Sequence, residues 1–253
     1  MSIPAERHNE EIDHNRLFWS KKPALRSVYS DFYSQIRDCI CEKTEGTSNV
    51  ELGSGIGNIK AHIPDCITTD LFPNPGIDRV ENAYSLSFNE GSVANLILFD
   101  VWHHLEYPAN FLAEAARVLI PGGRLIVMDP AMSWTGRFVY GLFHHEPLGW
   151  RVRFSGKPVE LREPERLPYF AAQSSAHRLL LRREVPELLD GWHLKEVKQV
   201  TSFAYLASGG FRGRQLYPDL ALPLVKIIDR VLGICPALFA ARLLVVLSKE
   251  SPL

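Results

Sequence analysis

The chain has 253 residues, enough for one α/β domain with an insertion or for two small domains. Hydrophobic residues make up 46% and charged residues 23%, an ordinary globular balance. A formal net charge of −1 leaves no basic footprint of the kind a nucleic-acid binder needs.

The N-terminus, MSIPAERHNEEIDHNR, is polar and charged and carries no signal-peptide pattern. The first 20 or so residues read as an arm, with Leu17, Phe18 and Trp19 as its docking point. Over 24–41, Leu25, Val28, Tyr29, Phe32, Ile36 and Ile40 recur at three- and four-residue spacing, which predicts an amphipathic helix. Gly46, Thr47 and Ser48 then make a turn. Cys39, Cys41, Cys66 and Cys235 are few and irregularly spaced, too sparse for a zinc site in a chain too long to need disulfide staples. They read as reduced thiols, which points to the cytoplasm.

Short apolar runs at 49–52, 66–69, 96–99 and 125–128 are predicted strands. The clearest helix between them is 108–118, with Phe111, Leu112, Ala115 and Leu119 on one face and Pro121-Gly122-Gly123 as its stop. Strands alternating with helices imply a mostly parallel sheet with right-handed crossovers. Residues 130–175 hold Pro, Gly, aromatics, Arg and His with no clean period, and are read as an inserted substrate cap. A helix is predicted over 175–189, a strand over 192–203, a helix over 220–232 and a last strand over 242–248. The apolar stretch 220–247 is broken by Lys226, Asp229, Arg230, Pro236 and Arg242, so it is no membrane span. Its helix is expected to bury against the sheet, with peripheral contact to a membrane surface as the other use.

The most informative segment is Val50-Glu51-Leu52-Gly53-Ser54-Gly55-Ile56-Gly57, an apolar strand followed by glycines at alternate positions. Glycine there accepts positive φ and lets a ligand approach the backbone. The spacing differs from G-x-G-x-x-G, because Asn58 stands where the last glycine belongs. That argues against a pyrophosphate cofactor and a nicotinamide-dependent oxidoreductase. Asp70 ends the second strand, where a carboxylate can accept both hydroxyl hydrogen bonds of a ribose. A plain Gly-rich turn and a turn-forming aspartate are the bland readings of these two features.

Taken in order, GSGIGN, TTDLFP, ENAYSLSF, LFDVWHHLEYP and EAARVLIPGGRLIVMDP resemble the class I S-adenosylmethionine-dependent methyltransferases, in the type-11-like group acting on small molecules. The likeness covers roughly 49–130. It implies a Rossmann-like, seven-stranded, mostly parallel sheet with helices on both faces, an antiparallel final strand and an inserted cap. Residues 1–45 would form the arm and first helix, and 46–253 the cofactor-binding domain. By the same resemblance, Glu51 would hold the loop and approach the methionine amino group of S-adenosylmethionine. Gly53, Ser54, Gly55 and Gly57 would pass the methionine portion. Asp70 would take the ribose, Leu71 and Asn82-Ala83 the adenine, and Asp100 and Val101 the methyl end. The short link from Gly57 to Ile67, interrupted by Pro64, implies a stunted first crossover helix.

Methyl transfer is an in-line displacement that leaves S-adenosylhomocysteine, and a hydroxyl acceptor adds the need for a base. His103 and His104, at the carboxyl edge of the fourth strand, and His145 in the cap are the candidate catalytic residues, since imidazole titrates near neutrality. Their structural alternative is packing and hydrogen bonding near the cofactor. No metal site is expected, because no carboxylate is spaced to complete one with the histidine pairs. Arg137, Arg151, Arg153, Arg162 and Arg166 among the cap aromatics suggest a small or glycan-like acceptor: a sugar, nucleotide-sugar or lipid-linked saccharide. The alternatives are a quinone or lipid acceptor, or a non-catalytic protein that only binds the cofactor.

Overall fold

In a computed structural model, which describes residues 5–142, 146–161 and 168–250, the six expected strands and one not read from the sequence, Arg79–Val80, pair into one seven-stranded sheet. They are β1 (Ser48–Leu52), β2 (Ile67–Asp70), β3 (Arg79–Val80), β4 (Val93–Phe99), β5 (Leu119–Pro130), β6 (Trp192–Thr201) and β7 (Ala240–Lys249). Their order is β3-β2-β1-β4-β5-β7-β6. The first five are parallel, and β7 runs antiparallel to both β5 and β6. This is the Rossmann-like sheet, and its strand order reverses between β1 and β4. At such a switch point the loops leaving the two strands diverge, which opens a crevice at their carboxyl ends.

The strands of the middle of the sheet are buried on both faces, as parallel strands covered by crossovers must be. In β4, Leu96 and Leu98 join one core with Trp102, Phe111, Leu112 and Leu179. Ile97 and Phe99 join the opposite one with Leu25, Phe32 and Ile36. Burying a side chain of this size contributes about 1.5–3 kcal/mol, so both faces carry real stabilisation. Helix α2 (Pro23–Asp38) covers the second face, and α3 (Pro108–Val118) covers the first. The first crossover is a single 3-10 turn, Asn58–Ala61.

Four expectations need correction. The N-terminal arm is a continuous helix, α1 (Ala5–Lys21). It docks through Ile12 and through Trp19, which stacks at 6.3 Å on Phe211, whereas Leu17 is exposed. The insertion is not wholly aperiodic, since Trp134–Leu142 forms α4. The helix predicted over 175–189 is broken into a π turn, His177–Leu181, and a 3-10 turn, Pro186–Leu189. Arg183 takes a left-handed φ of 52° between them, and Pro186 lacks the N–H a continuing helix needs.

The fourth correction concerns α6 (Leu222–Leu232), which packs on α5 (Phe203–Ser208). Its inward face is largely polar: Val225 is buried, Lys226 pairs with Asp31, and Asp229 accepts from the backbone N–H groups of Phe203 and Ala204. Its outward face is apolar. Leu220, Leu224, Ile227, Val231 and Ile234 are all exposed at helical spacing, so the helix is not buried against the sheet. Among the described residues no helix is long and apolar enough to cross a membrane.

Candidate active site

The crevice at the switch point is a cavity of about 390 Å³. Its floor is the glycine loop after β1. Gly53, Gly55 and Gly57 all have positive φ. Two of them are also sterically obligatory. A Cβ on Gly53 would lie 2.4 Å from Val101 Cγ2, and one on Gly57 would lie 2.3 Å from the Gly76 carbonyl oxygen. The loop is pinned to β2: Asp70 Oδ2 accepts the Gly55 N–H at 3.1 Å, and the Ser54 N–H donates to the Thr69 carbonyl at 2.7 Å.

Glu51 lies under this loop, 1% exposed, and its Oε2 has no hydrogen-bond partner. Burial pushes its carboxyl up to about 7, although hydrogen bonds from Ser54 and Tyr33 pull the other way. A buried carboxyl with a spare oxygen is the chemistry that receives a cationic group.

Of the residues expected at the cofactor, Gly53, Ser54, Gly55 and Asp100 line the cavity. Glu51, Gly57 and Val101 do not, nor do Asp70, Leu71, Asn82 and Ala83. Helix α1 closes over that end: His8 Nε2 lies 3.3 Å from Asp70 Oδ1, and the His8 ring sits 5.2 Å from Phe72. The hydrogen bond to Asp70 raises the His8 pKa against the cost of burial. The Asn82 amide oxygen accepts the Tyr84 N–H at 2.9 Å, a local turn contact.

The same cavity is lined by His103, His104 and Glu146, of which His103 and Glu146 are buried. After β4 the chain makes a 3-10 turn, Trp102–His104, which places both imidazoles at the carboxyl edge of the sheet. His103 Nδ1 is 2.9 Å from Asp129 Oδ1, at the end of β5, and its Nε2 is 3.4 Å from Glu146 Oε2. His104 donates from Nδ1 to the Phe170 carbonyl at 3.0 Å, so its Nε2 carries the lone pair, 3.8 Å from Glu146 Oε1. Tyr169 and Gln173 donate to the two Glu146 oxygens. Burial opposes charge on His103, yet Asp129 and Glu146 override it and hold the imidazole up to about 10. Burial and the neighbouring His103 push His104 down to about 4. Glu146 is held well below the usual carboxylate range by the two histidines despite its own burial. His145 lies outside the described residues.

The cavity's third wall was not foreseen. Arg242, 1% exposed near the start of β7, binds both oxygens of Asp100, with Nη2 at 2.8 Å from Oδ2. Its guanidinium lies 4.3 Å from the Tyr205 ring centroid and near Phe32 and Phe99. Asp100 adopts a φ of 59°, a left-handed conformation rare outside glycine and asparagine and common at functional sites. The one legible trace of Arg242 is a charge set inside the otherwise apolar run 240–247. The cap arginines do not converge here. Arg137 is held by the Met132 carbonyl at 3.1 Å and lies over Trp134 and Trp150. Arg151 and Arg153 are absent from the lining, and Arg162 and Arg166 lie outside the described residues.

Residues 50–127 match the model of a methyltransferase domain. Over that segment the chain is similar to S-adenosylmethionine-dependent methyltransferases of the class I fold. Among solved structures, a SAM-dependent methyltransferase from Thermotoga maritima is 14% identical, with a TM-score of 0.50 over 90% of this chain and 91% of that one. That likeness bears on the fold. A SAM-dependent methyltransferase from Methanosarcina mazei is 15% identical over 83% of this chain and 95% of that one, at a TM-score of 0.46. The geranyl diphosphate C-methyltransferase of Streptomyces coelicolor, solved with Mg²⁺, geranyl diphosphate and S-adenosyl-L-homocysteine, is 12% identical. It aligns over 87% of this chain and 79% of that one, at a TM-score of 0.49. No curated protein sequence matches the chain. The methyltransferase loop fits its cofactor: the glycines leave a backbone cradle, and the unpartnered Glu51 oxygen beneath it suits an ammonium group.

Proposed function

We propose that this methyltransferase domain, residues 46–253 with the cap at 130–175, transfers the methyl group to an oxygen of a small hydroxylated acceptor. The observation that carries the reading is the pairing, in one cavity, of the glycine loop with the His103–His104–Glu146 cluster, in which His103 and Glu146 are buried. S-adenosylmethionine, when bound, supplies a methyl group on a sulfonium whose departure needs no help. Gly53, Ser54 and Gly55 form the bed for the amino-acid tail, and Glu51 faces its ammonium from below. Asp70 receives the ribose at the face now held by His8, so α1 yields there as the nucleoside enters. Asp100 is fixed by Arg242 and borders the reacting end. The histidine cluster takes charge of the acceptor's proton. The nucleotide-sugar and lipid-linked-saccharide versions of the acceptor lose their main support, because no described cap arginine lines the cavity.

Titration with S-adenosylhomocysteine tests this reading, and Glu51 gives it a pH signature. The free carboxyl has its midpoint at about 7, whereas the ligand's ammonium selects the ionised form. Affinity is therefore expected to rise up to about tenfold per pH unit below 7 and to level off above it. Glu51→Gln is expected to bind more weakly at pH 8 and to lose the slope. Absence of binding by the folded protein, or a slope unchanged in Glu51→Gln, would sink the assignment.

A second reading, an acceptor carried in a lipid bilayer, is favoured by the outward apolar stripe of α6. Soluble helices turn such a stripe inward, whereas interfacial ones lay it in the headgroup region with cations alongside, here Arg230. Co-sedimentation with anionic phospholipid vesicles is expected, and Ile227→Glu with Val231→Glu is expected to abolish it. Wild-type protein remaining in the supernatant would discard the bilayer.

A further inference from the structure

We propose that His103, His104 and Glu146 form a mononuclear site for a divalent transition-metal ion, with an open coordination position facing the cavity. The inference rests on the reading of this cluster as the acceptor end of the methyltransferase cavity, and it names the way that end works.

Three geometric features point to a metal rather than to a simple ion-pair cluster. The first is the spacing. One ligand atom from each residue can be chosen so that all lie within 4.8 Å of one another. The Nε2-to-carboxylate separations are 3.4 and 3.8 Å, longer than good hydrogen bonds. With metal–nitrogen and metal–oxygen bonds of about 2.0–2.2 Å, two ligands of a tetrahedral ion stand roughly 3.3 Å apart. Each imidazole already stands near that edge length from one Glu146 oxygen, His103 from Oε2 and His104 from Oε1.

The second feature is the outer shell. A metal-binding imidazole characteristically spends its other ring nitrogen on a carboxylate or a backbone carbonyl, which fixes the ring and the tautomer. His103 Nδ1 meets Asp129, and His104 Nδ1 meets the Phe170 carbonyl. Both Nε2 atoms are thereby turned toward the same carboxylate. Glu146 is oriented in turn by Tyr169 and Gln173. Each of the three ligands is thus held by a group that is not itself a ligand.

The third feature is charge. Asp129 and Glu146 bring two carboxylates into a buried space, and Asp129 Oδ2 has no hydrogen-bond partner. The nearby Asp100 charge is already matched by Arg242, so it does not help. A divalent cation between Asp129 and Glu146 would offset both charges. The alternative trio of Asp100, His103 and Asp129 is a poorer candidate, because Asp100 is committed to Arg242 and His103 Nδ1 to Asp129.

Two imidazoles and one carboxylate suit Zn²⁺, Fe²⁺ or Co²⁺, and leave at least one position for an oxygen ligand. Mg²⁺ would want more oxygen donors than the cluster holds. A cation there would lower the pKa of a hydroxyl occupying the open position, with the proton released to solvent.

The test is a titration of the chelator-stripped full chain with Co²⁺, read by visible d–d absorption, and with Zn²⁺, read by calorimetry, both without cofactor. One ion per chain is expected. Asp129→Asn is expected to weaken binding by about 10–100-fold, as loss of an outer-shell partner does, and His104→Asn and Glu146→Gln by more. His104→Asn keeps a donor for the Phe170 carbonyl, so it spares the local fold while deleting Nε2; circular dichroism checks this. No stoichiometric ion in the folded wild type, or binding indifferent to His104→Asn and Glu146→Gln, overturns the site. S-adenosylhomocysteine binding without metal binding removes this proposal alone. Metal binding without ligand binding leaves the site standing and removes the methyl-transfer reading.

Discussion

Arg242→Met is expected to lower the stability of the chain by about 3 kcal/mol, and the midpoint of thermal unfolding by roughly 6–12 °C. The guanidinium is enclosed by Phe32, Phe99 and Tyr205 and binds both oxygens of Asp100. Methionine fills much of the volume but strands Asp100 beside the aromatic wall, and breaking one side of a buried ion pair costs about 3–5 kcal/mol. The lower end of that range applies because the Asp100 side chain keeps 31% of its surface open to the cavity. Burial already lifts the Asp100 carboxyl above its ordinary value, even with Arg242 pulling it down. The double variant Asp100→Asn with Arg242→Met is therefore expected to recover at least half the loss. Calorimetric unfolding of the three proteins decides the matter. A midpoint within 2 °C of wild type for Arg242→Met would mean that the pair is not holding this end of the sheet together.

The pair also marks the limit of what the sequence made legible. The glycine loop, Asp70 and the strands β1, β2, β4 and β5 are local patterns, and each could be read because its cause lies within a few residues of its effect. Arg242 and Asp100 are 142 residues apart, and only the sheet order, which puts β7 beside β5, brings them together. Glu146 meets His103 for a similar reason: it sits in a stretch without periodicity, so its position depends on tertiary contacts with Tyr169 and Gln173. The absence of a carboxylate at ligand spacing in the sequence therefore says nothing about one arriving through space. Periodicity misled in the other direction over 175–189, where apolar spacing suited a helix but Arg183 and Pro186 broke it. In α6 the pattern was real and its orientation was wrong. The apolar stripe is there, but Lys226 and Asp229 are anchored inward, and those two contacts turn the stripe to solvent.

His104→Asn is expected to reduce methyl transfer by about 10²–10⁴-fold while leaving affinity for S-adenosylhomocysteine within about twofold. The asparagine amide nitrogen stands where Nδ1 stood and can keep the bond to the Phe170 carbonyl, so the turn after β4 survives. What disappears is Nε2, the lone pair that faces Glu146 at the cavity wall. If the cluster handles the acceptor's proton, directly or through a bound cation, the loss falls on turnover, because the cofactor bed of Gly53, Ser54 and Gly55 belongs to a different loop, the one after β1. If His104 only packs, the variant should retain turnover or lose it through general instability, which would lower ligand affinity and the unfolding midpoint together. Single-turnover transfer from labelled S-adenosylmethionine, measured beside ligand titration and thermal unfolding, separates these cases. A rate within threefold of wild type would move the proton-handling role away from His104, and a parallel fall in all three quantities would make the residue structural.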